Sequence, residues 1–198
     1  MKTIELLCGD LTTGATNTLF EKTEEQGVNT AKLLTGSSLN LNGEIVEEQL
    51  TTIRIKEGKN IQRFQLQEGD VVLLAKGNSI RAAYVTAKVA NLNVIASANF
   101  ILLRPNKDAL VGEVLVAYLN STSGQNKLNA ISTGAAIQNV SLSNLKKLEI
   151  ELPALDKQHE ISELFHASNQ AYKSTIKLAV QQKKVANACI NQLMKGAA

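Results

Sequence analysis

Short runs of apolar residues, alternating with polar ones or continuous, recur through the first three quarters of the chain. Such runs are typical of β-strands, and they fall at Thr51–Ile55, Val71–Ala75, Arg81–Thr86, Asn99–Arg104 and Leu148–Leu152. Two stretches have helical spacing instead, one after Asp108 and one over residues 124–131. The pattern predicts an α+β fold for residues 1–153, with more strand than helix.

Two polar stretches interrupt this pattern, at residues 9–18 and 35–44. Both are rich in Gly, Ser, Thr and Asn, which predicts exposed loops. The first has the outer glycine spacing of a phosphate-binding loop. However, Ala15 stands where that loop needs a lysine to reach the phosphates, so the motif fails.

Residues 154–198 have a different pattern, because no Gly or Pro occurs between Ala154 and Lys195. We predict one long helix of the coiled-coil type, with Asp156 as its N-cap. A helix of about 40 residues is roughly 60 Å long, which exceeds the diameter of a domain of about 150 residues. Its apolar positions form two neighbouring stripes. One contains Ile161, Leu164, Ala171, Leu178 and Val185, and the other contains Phe165, Tyr172, Ile176, Ala179, Ala186, Ile190 and Leu193.

These stripes form a face wider than one intramolecular contact needs. We therefore predict that the helix pairs with another helix in a second molecule. The alternative is a single helix that folds along its own domain.

The composition is that of a globular protein, with 44% hydrophobic and 20% charged residues. No apolar run is long enough to span a membrane, and Glu5 and Asp10 interrupt the segment where a secretory signal would lie. The two cysteines, Cys8 and Cys189, are too few for a disulfide framework, although pairing between them stays open. These features predict a reduced, cytoplasmic location.

The net charge is +3, and it is distributed unevenly. Residues 1–50 contain three Lys or Arg against eight Asp or Glu, whereas residues 51–88 contain seven against three. A basic segment of this size is compatible with a small surface that faces phosphates, or with an ordinary solvated face.

No arrangement of residues suggests catalysis. The sequence has no nucleophile elbow, and His159 and His166 are its only histidines. Seven residues apart on a helix, they lie about 10 Å from each other, too far to share one metal ion. The sequence therefore predicts a non-catalytic protein without a metal or a cofactor.

Two segments combine cations with amide or hydroxyl groups, the residue types that contact phosphates and base edges. One is a turn between two apolar strands, with Lys76, Asn78, Ser79 and Arg81. The other, residues 54–63, contains Lys56, Lys59 and Arg63. The sequence alone leaves two interpretations open, a recognition surface or two polar loops that bind nothing.

A longer pattern links these segments to a known family. Residues 66–105 are LQEGDVVLLAKGNSIRAAYVTAKVANLNVIASANFILLRP, and residues 118–161 are YLNSTSGQNKLNAISTGAAIQNVSLSNLKKLEIELPALDKQHEI. They resemble the target-recognition domain of type I restriction–modification specificity subunits. The matching positions are Gly69, Asp70, Gly77, Ser79, Arg104, Pro105, Ser121, Gly134, Ile137, Gln138, Pro153, Gln158 and Ile161. The first 65 residues match loosely, with Gly14 as an anchor.

The resemblance implies a β-rich target-recognition domain over residues 1–153 and a long helix over 154–198 that serves as spacer, dimer contact and partner-docking element. It also implies a non-catalytic subunit that recognises double-stranded DNA and directs an adenine methyltransferase, with a motor–nuclease restriction subunit as a further partner. On this interpretation, the residues that bind DNA are Lys56, Lys59, Arg63, Lys76, Asn78, Ser79, Arg81, Lys127 and Gln138.

A full-length specificity subunit resembles two such units in tandem, whereas this chain has one recognition domain and one long helix. We therefore expect a half-subunit that forms an antiparallel homodimer through residues 156–195 and recognises a two-part target with inverted half-sites. The alternative is an orphan copy that acts as a protein–protein adaptor through its helix and does not recognise DNA.

Overall fold

The computed structural model describes residues 1–23, 27–40, 42–134 and 137–196. The strands are β1 (Lys2–Thr3), β2 (Cys8–Thr13), β3 (Phe20–Lys22), β4 (Thr30–Leu34), β5 (Thr51–Ile55), β6 (Val71–Leu74), β7 (Lys76–Gly77), β8 (Arg81–Tyr84), β9 (Val94–Ala96), β10 (Phe100–Pro105), β11 (Ser132–Thr133), β12 (Gln138–Val140) and β13 (Glu149–Ile150). The α-helices are α1 (Ile4–Leu7), α2 (Ala87–Ala90), α3 (Gly112–Asn120), α4 (Thr122–Ile131), α5 (Leu142–Lys146) and α6 (Leu155–Gly196). Short 3₁₀ helices lie at Asn17–Leu19, Gly36–Ser38, Glu47–Gln49 and Gln62–Phe64.

The chain divides into two compact units, Met1–Ser162 and Glu163–Ala198. The first unit is built on two four-stranded sheets, and the long C-terminal helix α6 extends from its end into the second unit. This arrangement confirms the predicted α+β class with a β-rich body followed by a long helix. No helix in the described part of the chain combines the length and apolar character that a membrane span requires.

The two sheets of the first unit share a buried core. One sheet has the order β2-β10-β6-β8 and is antiparallel, while the other has the order β3-β5-β4-β9 with β4 and β9 parallel. Leu34 and Val94 from the second sheet pack with Val72, Phe100 and Leu102 from the first. The strands β6 and β10 are mostly apolar because they lie in the centre of their sheet.

The prediction of a loop over residues 9–18 is wrong for its first half. Strand β2 covers Cys8–Thr13 and pairs with β10, so that Leu11 lies opposite Leu103. The segment is polar because it is an edge strand whose side chains are largely exposed, and its backbone finds its hydrogen-bond partners in β10. Gly14 follows the strand at a close approach, because a Cβ there would lie 2.1 Å from the carbonyl oxygen of Ser97.

Helix α6 contains 42 residues, which corresponds to about 63 Å. It begins at Leu155, so the prediction that Asp156 is the N-cap is wrong, and this carboxylate lies in the first turn instead. Among the described residues of α6, only Gln158 is buried. The apolar side chains of both predicted stripes are exposed or half-buried, including Leu164, Leu178 and Leu193.

Candidate nucleic-acid interface

A small three-stranded sheet of order β11-β12-β7 brings together two distant parts of the sequence. We call it the ribbon. In its antiparallel register Gln138 lies opposite Gly77, Asn139 lies opposite both Lys76 and Thr133, and the backbone N–H of Val140 donates to the carbonyl of Ala75 at 2.8 Å. The ribbon therefore joins the predicted turn at residues 76–79 to the predicted Gln138, about 60 residues later in the chain.

One face of the ribbon is exposed and polar. Because partners across an antiparallel pair lie on the same face, Thr133, Asn139 and Lys76 form a row across the three strands, and all three are exposed. Val140 belongs to the opposite face and is buried. The row offers one cation, one amide and one hydroxyl, a combination suited to phosphates and base edges.

Gln138 is held at the edge of this surface rather than left free. Its Nε2 donates to Asn129 Oδ1 on α4 at 2.9 Å. The side chain is half-buried, and its alternation with Asn139 places it off the exposed row. Gln138 therefore fixes the ribbon against α4 while it lies beside the exposed face.

The turn after β7 is shaped by Arg81. Asn78 and Ser79 are exposed at the turn, whereas the Arg81 guanidinium donates to Ser79 Oγ and to the carbonyl of Gly36, both at 2.6 Å. Two of its nitrogens are thus engaged within the chain. Arg81 supports the turn from its base, and Lys76 and Asn78 present the outward groups.

The three other predicted cations form a second surface. Lys56 follows β5, Lys59 lies in the turn after it, and Arg63 belongs to the 3₁₀ helix Gln62–Phe64; all three are exposed. The Arg63 guanidinium carbon lies 4.5 Å from the centroid of the buried Phe64 ring, a cation–π distance. No hydrogen bond or ion pair among the described residues connects this surface with residues 76–79.

Lys127 lies on α4, near a third location. Its Nζ donates to the carbonyl of Glu149 at 2.7 Å and lies 5.8 Å from the centroid of the Tyr118 ring. The structure therefore distributes the nine predicted residues over the ribbon and its turn, the surface after β5, and α4.

Three polar residues of the interface are absent from the sequence prediction, namely Thr133, Asn139 and Asn129. The sequence does not distinguish these three residues, because serine, threonine and asparagine are common throughout residues 120–144. The motif at Gly134, Ile137 and Gln138 marked the region, but only the strand register shows that it meets Lys76.

An ion pair fixes the strand that leads into the ribbon. Asp70 is 3% exposed; its Oδ2 accepts from the backbone N–H of Gln67 at 2.9 Å, and its Oδ1 lies 3.4 Å from Arg104 Nε. Burial raises the pKa of Asp70, although the Gln67 hydrogen bond and the Arg104 charge oppose that rise. Arg104 also lies 3.4 Å from Asp10 and donates to the carbonyl of Gln65, so one guanidinium on β10 connects with β2 and with Asp70, the residue before β6.

Gln158 joins the beginning of α6 to the first unit. Its Oε1 accepts from the N–H of Val111 at 3.0 Å, and its Nε2 donates to the carbonyls of Ala109 and Pro153 at 3.2 and 3.0 Å. The Gln158 side chain is 2% exposed, and three of the four hydrogen-bond positions of its amide are used. The motif residue Gln158 thus fastens the first turn of α6 before Ser162.

The described side chains contain no cluster of three or more His, Cys, Asp or Glu residues that could hold a metal ion. Burial raises the pKa of the Cys8 thiol to about 12, a direction opposite to that of a reactive cysteine. The surface groups identified above are suited to binding through charge and hydrogen bonds.

Residues 7–183 match the family model of the type I restriction modification DNA specificity domain. No curated protein matches the chain significantly. Among solved structures, the S subunit of a type I restriction–modification system from M. genitalium has 20% identity and a TM-score of 0.53, with 85% of this chain and 38% of that chain covered. The HsdS subunit from Thermoanaerobacter tengcongensis has 17% identity and a TM-score of 0.60, with 92% and 45% covered.

A chain from a structure on complex assembly and conformational transition of the type I R-M system has 19% identity and a TM-score of 0.61, with 92% of this chain and 45% of that chain covered. At these identities the likeness concerns the fold. The chain spans less than half the length of each of these structures.

Proposed function

The chain belongs to the family of type I restriction–modification DNA specificity domains, and on that premise we propose that it is a non-catalytic subunit that recognises DNA sequence. In this proposal residues 1–153 form the target-recognition domain, and residues 154–198 form the helix for dimerisation and partner docking. The chain directs an adenine methyltransferase, and a restriction subunit joins the same assembly.

The observation that carries the proposal is the exposed face of the ribbon. Lys76 supplies a cation for a phosphate, while Asn78, Ser79 and Asn139 supply donors and acceptors for base edges. Gln138 lies beside this row and contributes at its edge. Because the turn is tied to Gly36 through Arg81 and the ribbon to α4 through Gln138, these groups are preorganised before DNA arrives.

The remaining predicted residues extend the surface toward the phosphate backbone. Lys56, Lys59 and Arg63 contribute charge without base contacts. Lys127 uses one N–H on the Glu149 carbonyl and keeps two for a phosphate. Arg81 acts mainly by positioning Ser79.

Duplex binding measured as a function of salt tests this assignment. We expect Lys76→Gln to weaken binding to all duplexes in a random-sequence pool and to reduce the salt slope by about one. Lys107→Gln is the matched control, because Lys107 is exposed beside Gly69, before the start of β6, whereas the ribbon follows the end of that strand. Asn78→Ala is expected to reduce discrimination between sequences instead.

Two results would contradict DNA recognition. One is a chain that binds no duplex, and the other is binding that does not respond to salt. Either result would favour the adaptor alternative, in which only the helix has a function.

The exposed apolar face of α6 supports a homodimer. Leu178 is 59% exposed and Val185 is 54% exposed, which is unfavourable for isolated side chains of this kind in water. We propose that two copies pair antiparallel through this face, so that two recognition domains bind inverted half-sites of a bipartite target.

Sedimentation equilibrium of the full chain tests the dimer, with an expected mass of twice 21.3 kDa at micromolar concentration. Leu178→Glu is expected to yield the single-chain mass, and Gln181→Glu is the control on the same helix. A wild-type chain that sediments at the single-chain mass contradicts the dimer.

Purification of the tagged chain from its own cells at low salt tests the partner, with a stoichiometric adenine methyltransferase as the expected result.

A further inference from the structure

The paired part of the ribbon ends at Gln138 and Gly77. Val140 faces Ala75, Asn139 faces Lys76 and Gln138 faces Gly77, so the residues that adjoin the last pair are Ile137 on one strand and Asn78 on the other. Both Ile137 and Asn78 are exposed.

Ile137 is an apolar side chain in polar surroundings. It is 54% exposed, and the exposed polar residues of the ribbon and its turn include Asn78, Asn139, Thr133 and Lys76. A branched apolar side chain left in water at such a position gains free energy when an apolar group covers it.

The backbone of Gly134 approaches the carbonyl group of Ile137 closely. Gly134 has a φ of +91°, and a Cβ at this residue would lie 2.3 Å from the carbonyl oxygen of Ile137. A glycine is therefore required here, both for its left-handed conformation and for the approach of the Ile137 backbone. Ile137 therefore lies at the end of the ribbon where Asn78 follows β7.

An exposed amide and an exposed apolar group at the same end of the ribbon match one base pair in particular. In the major groove adenine presents N7 and N6 to an Asn or Gln amide, and the paired thymine presents its 5-methyl group to an apolar side chain. We propose that Asn78 and Ile137 together recognise an A·T base pair, with the Asn78 amide on adenine and Ile137 on the thymine methyl. This inference rests on the proposed function, and it assigns a specificity role to Ile137.

The test uses the full chain and removes the methyl group alone. Preferred duplexes are first selected from a random-sequence pool with the wild-type chain, and each thymine of the selected site is then replaced by deoxyuridine. At one position we expect the wild-type affinity to fall about fourfold, the value of one buried carbon. The Ile137→Ala chain is expected to bind both duplexes equally, and Ile137→Val to keep the preference for thymine.

Leu6→Ala is the matched control, because Leu6 is 73% exposed on α1, which is not a strand of the ribbon. It should show the wild-type preference for thymine. The thermal unfolding midpoint of each variant shows whether it is folded. Ile137→Val and Ile137→Ala differ only in the size of one apolar side chain, so a difference in thymine preference between them reports on that side chain.

The outcomes separate the inference from the function on which it rests. A wild-type chain that binds no duplex overturns both. A wild-type chain that selects a sequence but shows the same deoxyuridine effect as Ile137→Ala overturns the inference and leaves DNA recognition intact. The inference is also overturned if the base preference lost in Asn78→Ala is not for an A·T pair.

Discussion

The two units of the chain contain similar apolar side chains but expose them to opposite degrees. Leu102 in the first unit is fully buried between two sheets, whereas Leu178 in α6 is 59% exposed. In the first unit the apolar residues form the core that stabilises the fold. In α6 the same residue types are exposed among the described residues, an observation that supports the proposed dimer. Burial therefore distinguishes residues that determine the fold from residues that are available for assembly.

The largest expected effect of this difference in burial concerns the two cysteines, because one lies in each unit. Cys8 is buried with a thiol pKa raised from 9.0 to about 12, while Cys189 is exposed on α6. With the chain diluted until α6 is unpaired, we expect Cys189 to react with iodoacetamide at pH 8 and Cys8 to react about 1,000-fold more slowly, because a thiolate is the reacting form. Mass spectrometry of peptides from the native chain measures both rates.

In denaturant the two rates should become similar. Equal rates in the native chain would mean that the region around Cys8 opens readily, and the contrast between the units would then be lost.

Matched leucine substitutions give the next largest effect. We expect Leu102→Ala to lower the unfolding free energy by about 2–5 kcal/mol, because it removes buried contacts and leaves a cavity. Leu178→Ala is expected to change it by less than about 0.5 kcal/mol, apart from a term that depends on protein concentration. Scanning calorimetry at two protein concentrations separates these contributions. A large, concentration-independent loss for Leu178→Ala would show that α6 packs within its own chain.

The pH dependence of stability gives the smallest effect, and it concerns the buried Asp70. Its pKa is raised in the folded state, mainly by burial, so the folded state binds the proton more tightly than the unfolded state does. Stability therefore falls as pH rises from the unfolded pKa of about 3.9 through the folded value. Denaturant titrations of wild type and Asp70→Asn measure this, and the difference in stability should shift in favour of Asp70→Asn as pH rises. A shift in the opposite direction would mean that the Arg104 ion pair outweighs burial.

Local pattern predicted much of the fold. Strand β5 has the predicted bounds, and β6, β8 and β10 lie within one or two residues of theirs, because alternation and apolar content suffice for buried strands. Ser141 caps α5 as its residue type indicates, accepting from the N–H of Asn144 at 3.1 Å. Strand β2 was missed because an exposed edge strand carries no apolar signal.

The candidate site was predicted less completely. Lys76 and Asn78 stood out because cations and amides clustered in one short segment. The structure also assigns Arg81 a supporting contact with Gly36, 45 residues away, which no local pattern contains. Asn139 and Thr133 gained their place only through the register of β7, β11 and β12.

The sequence by itself determined the strand-rich body, the long helix with its apolar stripes and the motifs that mark the family, since each depends on residues close together in the chain. The tertiary structure alone decided which distant segments meet. It placed Ile137 and Asn139 beside the turn that follows Lys76, and it buried Asp70 against Arg104. Such contacts depend on strand register and on packing between sheets, which are set by the joint free energy of many residues rather than by any local pattern.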